Sequence, residues 1–235
     1  MNNIAHLDSV QHADLRIDAD ATFREDRNER FVQTVIAEFP LLAAYAPILL
    51  AKDSETGAFY CGVMLGIDPG ESLFAGPSTR TGFYRPLNIQ RVPFFHTETG
   101  LAVDLDHPHA GRGDRGELLF DESGAPTPYV INVLHALRLL RSGIEETKSF
   151  IAALLALKLV EPVTVELSFD DSTKRTLEDL YTVSQDRLRD LPDAAVIDLF
   201  RRNYLQPAYL LAASLNQIPH LARRKNAALA AGGAS

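Results

Sequence analysis

The chain reads as an α+β protein, with a strand-rich N-terminal part followed by a helical C-terminal part that carries an embedded β-hairpin. Three observations predict this class. Between residues 31 and 106, short apolar runs are separated by glycine-bearing turns. From Thr127 onward, apolar residues recur at helical spacing. Inside that helical region, Val163, Val165, Leu167 and Phe169 alternate with Thr164, Glu166 and Ser168, the period of a half-buried strand.

The elements follow in order. Residues 47–51, 59–65, 87–95 and 101–105 have strand character. Gly57, Gly70 and Gly100 close the turns around them, each placed where a positive φ suits glycine. Residues 38–46 are the exception: Glu38, Leu41, Leu42 and Tyr45 recur at helical spacing around Pro40, which predicts one short helix among the strands. Thr127 and Pro128 form a helix start, and Val130, Val133, Leu134, Leu137 and Leu140 make one apolar stripe that is expected to end at Gly143. A second helix is expected over residues 144–159, stopping before Pro162. Asp170, Asp171 and Ser172 turn the strand back into a partner over residues 176–183. Three short helices then open at Ser184, Pro192 and Pro207.

The expected organisation is a strand-rich part over residues 1–121 with one short helix, and a helical part over residues 122–226 with its hairpin at 163–183. A tail at residues 227–235 is expected to be disordered. The two parts are read as one integrated domain, and residues 107–127, rich in glycine, proline and charge, as the connector.

Composition bounds the function. The 235 residues, 46% hydrophobic and 23% charged, can build a sizeable core. The single Cys61 excludes an intramolecular disulfide framework or a multi-cysteine metal centre, and it fits a reducing compartment. Residues 1–23 lack a cationic stretch followed by an apolar run, and no apolar run reaches the ~20 residues of a membrane-spanning helix. The expectation is a cytoplasmic protein that does not insert into membranes, unless a dedicated exporter carries it out. A net charge of -8 argues against nucleic acid as a partner. The last forty residues nevertheless hold five bases, Arg201, Arg202, Arg223, Arg224 and Lys225, against one acid. That basic end is read either as solvated helix faces or as a patch for an acidic partner.

Motifs that would carry chemistry are weak. Gly111, Gly113 and Gly116 match a dinucleotide glycine pattern, but no helix follows to receive a diphosphate. His96 and Glu98, with Asp104, Asp106, His107 and His109 nearby, carry ligand types suited to iron, as in a facial triad of two histidines and one carboxylate. A distal histidine on a later strand is missing, because His135 and His220 fall on expected helices. There is no nucleophile elbow, Cys61 lies in an apolar strand, and Ser149 and Ser214 sit on helices without a neighbouring base.

The segment from Tyr84 to Arg91 is richer. On a strand, Arg85, Leu87, Ile89 and Arg91 would face one side, with Tyr84, Pro86, Asn88 and Gln90 on the other. Guanidinium groups on a partly apolar face suit bidentate capture of a carboxylate, either on a partner or within the fold at Glu38 or Glu71. The candidate binding residues are therefore Arg85, Asn88 and Arg91, with Glu38, Lys52 and Tyr84.

The chain carries, in order, Ala37-Glu38-Phe39-Pro40, Pro47-Ile48-Leu49, Lys52-Asp53 with Thr56-Gly57, Gly70-Glu71, Pro86-Leu87-Asn88-Ile89 with Arg91, Leu119-Phe120-Asp121, Asp179-Leu180-Tyr181-Thr182-Val183 and Tyr204-Leu205-Gln206-Pro207. In this order of motifs it bears a resemblance to the SapC family of bacterial proteins. The resemblance spans about residues 8–226. It implies an accessory or binding role, without a cofactor, in surface-layer or outer-membrane (TonB-dependent) receptor systems, acting on a protein or peptide client. Partner enzymes of the halogenase-like or cupin/JmjC-like type are implied as well. It brings no catalytic residues to carry over, and the typical family pattern lacks histidines at 96, 107 and 109. The competing expectation is an iron-dependent, non-haem oxygenase-like enzyme built on those histidines and their neighbouring acids.

Overall fold

The computed structural model describes residues 3–19, 30–74, 83–98 and 100–232. The α+β class holds: strands dominate the N-terminal half, and helices follow from Pro128 with one β-hairpin among them. The backbone groups into two compact units, neither of them a continuous stretch of chain. One comprises Met1–Arg27 and Arg85–Ser142, the other Asn28–Tyr84 and Gly143–Ser235. The boundary expected at residue 121 falls inside the first unit.

In the first unit, β1 (Ile4–His6), β7 (Gly100–Asp104) and β6 (Phe94–Thr97) form an antiparallel sheet in that order. The short strands β8 (Ala110–Gly111) and β9 (Glu117–Leu118) flank β2 (Arg16–Ile17). Residues 107–127, expected as a connector, therefore build structure. Leu119 and Phe120 enter a core with Leu15, Ile17, Phe94 and Val133, because their apolar area outweighs the glycine content around them.

The second unit is built on a five-stranded antiparallel sheet ordered β10-β11-β4-β5-β3. Its strands are β3 (Phe31–Gln33), β4 (Ile48–Lys52), β5 (Phe59–Met64), β10 (Val160–Ser168) and β11 (Lys174–Val183). A 3-10 turn over Ile36–Glu38 leads into α1 (Phe39–Leu42), the short helix expected around Pro40. Gly57 at φ 69°, Gly70 at 75° and Gly100 at 130° occupy the left-handed region read from the sequence.

Two expectations are corrected. Leu87–Gln90 forms a short helix, α2, where a strand was expected. Pro86 fixes the φ that opens it, so the alternation of Arg85 through Arg91 does not exist. The two helices expected on either side of Gly143 are one, α3 (Pro128–Ala156). Gly143 does not end a helix. A Cβ there would lie 2.8 Å from the Val35 side chain, so glycine serves close packing in mid-helix.

Beyond β11 come α4 (Gln185–Arg189), α5 (Asp193–Arg201), α6 (Leu205–Ser214) and α7 (Ile218–Gly232). Ser214 fastens α6 to the sheet: the Ile48 amide donates to its hydroxyl at 2.8 Å. Phe39, Phe150 and Tyr204 meet edge to face, with ring centres 6.2 and 5.5 Å apart. Residues 227–232, expected to be disordered, lie in α7; Thr99 of one expected turn and residues 233–235 lie outside the described residues.

Candidate functional site

The six candidate binding residues divide between the units. Glu38, Lys52 and Tyr84 belong to the second, and Arg85, Asn88 and Arg91 to the first. Asn88 and Arg91 share one helical turn, where the Arg91 guanidinium donates from Nε to Asn88 Oδ1 at 2.8 Å and from Nη1 to the Phe94 carbonyl at 3.2 Å. It also lies 5.6 Å from the Phe95 ring centre. Arg85 acts electrostatically on Tyr129. Burial pushes the Tyr129 hydroxyl pKa up, Glu117 adds to the effect and Arg85 opposes it.

Glu38 is buried, with 1% of its surface exposed. Its carboxylate accepts from the Thr34 hydroxyl at 2.6 Å, the Val35 amide at 3.2 Å and the Tyr84 hydroxyl at 3.4 Å. A buried carboxylate so surrounded holds the entry to α1 in place. The Ile36 amide next to it donates to Thr147 Oγ1 at 3.0 Å.

Glu71 pairs with a base that the sequence did not single out for it. Lys225 Nζ lies 2.6 Å from Glu71 and 2.8 Å from Asp68, with only 12% of the lysine side chain exposed. Arg175 Nε reaches Asp68 at 2.6 Å, and Glu71 Oε2 accepts the Ile67 and Asp68 amides. Lys225, then Arg175, hold the Asp68 carboxyl below its ordinary range. Burial disfavours the Lys225 charge, but its bonds to Asp68 and Glu71 outweigh that and raise its pKa. The loop closes tightly here: a Cβ on Gly66 would fall 2.0 Å from the Glu71 carbonyl oxygen.

Lys52 stands differently. It ends β4 with its Nζ 5.1 Å from the ring centres of both Phe59 and Tyr181, which meet edge to face 4.9 Å apart. Among the described residues it has no ion-pair partner. The adjacent Asp53 is engaged by the Thr56 hydroxyl, at 2.7 Å, and by the Thr56 amide; that hydroxyl is the main cause of its lowered pKa.

Lys52 lines a groove of about 1080 Å³ within the second unit. One wall is the β4–β5 turn, and the other is β11 at residues 176–180. Ile144, Thr147 and Ile151 of α3 contribute as well. The groove exists because β11 pairs with β4 only at Leu180 and Tyr181, although it pairs with β10 along most of its length. A bulge causes the departure: Val163 pairs with Leu180 and Val165 with Leu177, so Glu178 and Asp179 together oppose Thr164. Asp179 takes a φ of 59°. Residues 174–179 consequently have no ladder partner on the β4 side among the described residues. Glu178 and Asp179 line the groove without a cation partner among the described residues, so the β4–β5 wall presents Lys52 beside the engaged Asp53 and the β11 wall two carboxylates, with Arg30 and Lys148 also in the lining. Phe31 lies over Gly62, where a Cβ would come within 2.3 Å of the ring. Sequence reading marked Lys52 and quoted the Asp179–Val183 motif, but periodicity gave no sign of the bulge that brings them to one groove.

The remaining chemical candidates are placed as follows. Gly111 and Gly116 sit at the edges of β8 and β9, and the next helix starts only at Pro128. The His107 and His109 rings lie 5.5 Å apart, and the His109 amide donates to His107 Nδ1 at 3.3 Å. His96 is in β6, and Asp104 Oδ1 accepts the Asp106 amide. Among the described residues no group of three His, Cys, Asp or Glu side chains is placed to hold a metal ion. Cys61 is buried in β5, where burial alone pushes its thiol pKa up and leaves it unreactive. Ser214 is bound into the α6 packing described above. No helix among the described residues is long and apolar enough to cross a membrane.

Comparison with known proteins defines the class. The chain belongs to the SapC family, whose model matches residues 7–221. No curated protein and no solved structure matches the chain significantly.

Proposed function

We propose that this SapC-family chain is an accessory protein that binds an extended segment of a protein or peptide client in the groove beside β11. One observation carries the reading: the bulge at Glu178–Asp179 parts β11 from β4 and leaves a strand edge open beside Lys52, which has no ion-pair partner among the described residues. A client strand adds main-chain hydrogen bonds to that edge, as in recognition by strand addition. A client carboxylate meets the Lys52 ammonium, and a client base meets Glu178 or Asp179. A lysine facing two carboxylates suits a polypeptide of mixed charge better than a small anion. The aromatic pair Phe59 and Tyr181 holds the ammonium in position at low entropic cost. Arg91, with its guanidinium already bonded to Asn88 and Phe94, is assigned to the first unit's own fold.

The family resemblance supports placing this client among surface-layer or outer-membrane receptor proteins, met in the cytoplasm before export or alongside a partner enzyme. The test is selection of random linear peptides from a display library on the wild-type chain, followed by affinity measurement on Lys52→Glu and on the double variant Glu178→Lys with Asp179→Lys. The expected result is peptides of mixed charge whose affinity drops by about tenfold or more in Lys52→Glu. Peptides that bind wild type and both variants alike would overturn the groove as the site.

A further inference from the structure

A second surface lies apart from the groove on the same unit, and its chemistry is different. Of the five bases near the C-terminus, two are engaged in the fold: Lys225 with Asp68 and Glu71, and Arg202 with Asp198 at 3.3 Å. Arg223 and Arg224 are not ion-paired among the described residues. Both line a recess of about 470 Å³ on α7, together with Tyr45, Gln217 and His220. Among the described residues no acidic side chain lines it.

The groups in this recess are set up to donate. The Arg224 guanidinium lies over Phe74, its Cζ 4.3 Å from the ring centre, and Phe74 is itself buried and stacked on Phe83 at 4.5 Å. The guanidinium is thereby oriented without an acid. Arg223 Nη2 lies 2.9 Å from His220 Nδ1. Because arginine can only donate, that ring nitrogen accepts, and the imidazole proton sits on Nε2, available to a ligand. Beside these donors Tyr45, 38% exposed, presents its ring to the recess.

We infer that this recess docks an acidic, amphipathic segment of a protein partner, with carboxylates on Arg223, Arg224 and His220 and an apolar side chain on Tyr45. Charge complementarity selects this occupant. The residues before Val196 sum to -12, so acidic ligands are repelled from most of the chain and drawn to this basic face. A nucleic acid would need many more phosphate contacts than three clustered side chains supply. The surface stands independently of the groove, whose lining carries both signs of charge.

The test uses three labelled helix-forming peptides: one with leucines along one face and glutamates beside them, one with serine in place of leucine, and one with lysine in place of glutamate. Fluorescence anisotropy of the full chain should detect the first peptide alone, with affinity that weakens as salt rises. Arg223→Glu should weaken it by about tenfold or more, and Tyr45→Ser should weaken it without changing its salt dependence. Arg223 is exposed and among the described residues bonds to His220 alone, so its variant should melt as wild type does. If it does not, Arg223→Gln takes its place, and Arg224→Gln repeats the measurement at the stacked position. No binding of the first peptide, equal binding of the serine peptide, or affinity unchanged by the arginine substitutions would each overturn the inference.

Discussion

Around the turn at residues 67–71, Asp68 pairs with Arg175 and Lys225, and Glu71 with Lys225, each within 2.8 Å. Along the groove, by contrast, Lys52, Glu178 and Asp179 have no ion-pair partner among the described residues, although charges of both signs line it. The two regions belong to the same unit and use the same residue types. The difference separates charge paired within the fold from charge that the proposed client would meet. A nearly buried lysine must be compensated, because burial without a partner costs several kcal/mol. An exposed lysine resting on two rings is under no such compulsion.

Substitutions in the first region should cost stability and leave binding alone. Gly66→Ala should have the largest effect, about 3 kcal/mol or more in urea unfolding, since its Cβ would meet backbone, which cannot rotate away. Lys225→Met should cost about 2 kcal/mol, less than for a fully buried pair because Asp68 and Glu71 keep some contact with water. A small cost, within the error of the denaturation curve, would mean that the cluster does not hold the turn.

The same cluster sets a pH dependence with a definite sign. The Asp68 pKa is depressed, so its contribution is present above the ordinary value of 3.8 and is lost as pH falls through the folded value. The Lys225 pKa is raised, so its contribution is full below 10.5 and is lost as pH rises through the folded value. Wild type should therefore weaken below about pH 3.8 and above about pH 10.5, and Lys225→Met should flatten both flanks of the melting-temperature profile. Equal flanks in the two proteins would assign the acid and alkaline losses elsewhere.

Two smaller effects sharpen the contrast. Thr182 is buried with no hydrogen-bond partner for its hydroxyl among the described residues, so Thr182→Val should be neutral or stabilising by up to about 1 kcal/mol. Lys52→Ala should leave the unfolding midpoint where it is, and its effect should appear only in peptide affinity.

Much of the fold was legible in the sequence because local chemistry decided it. The turns at Gly57, Gly70 and Gly100, the helix at Pro40 and the alternation through Val163–Phe169 are each set by residues within a few positions. What escaped was tertiary. Gly143 reads as a helix end until Val35 is brought against it, and residues 107–127 read as a connector until Leu119 and Phe120 find a core. The site divided in the same way. Lys52 could be marked from its motif. The lysine that pairs with Glu71, and the bulge that makes the groove, depend on residues more than a hundred positions away or on a single extra residue in a ladder. Arg85 and Arg91 were singled out by an alternation that Pro86 turns into a helix.

The central claim, that the open edge of β11 receives a client strand, is tested most directly by amide hydrogen exchange of residues 174–179 with and without a peptide selected on the wild-type chain. The account predicts slowed exchange at alternate amides of that segment, with the amides of residues 67–71 unchanged. Exchange at residues 174–179 that stays the same at saturating peptide would contradict it.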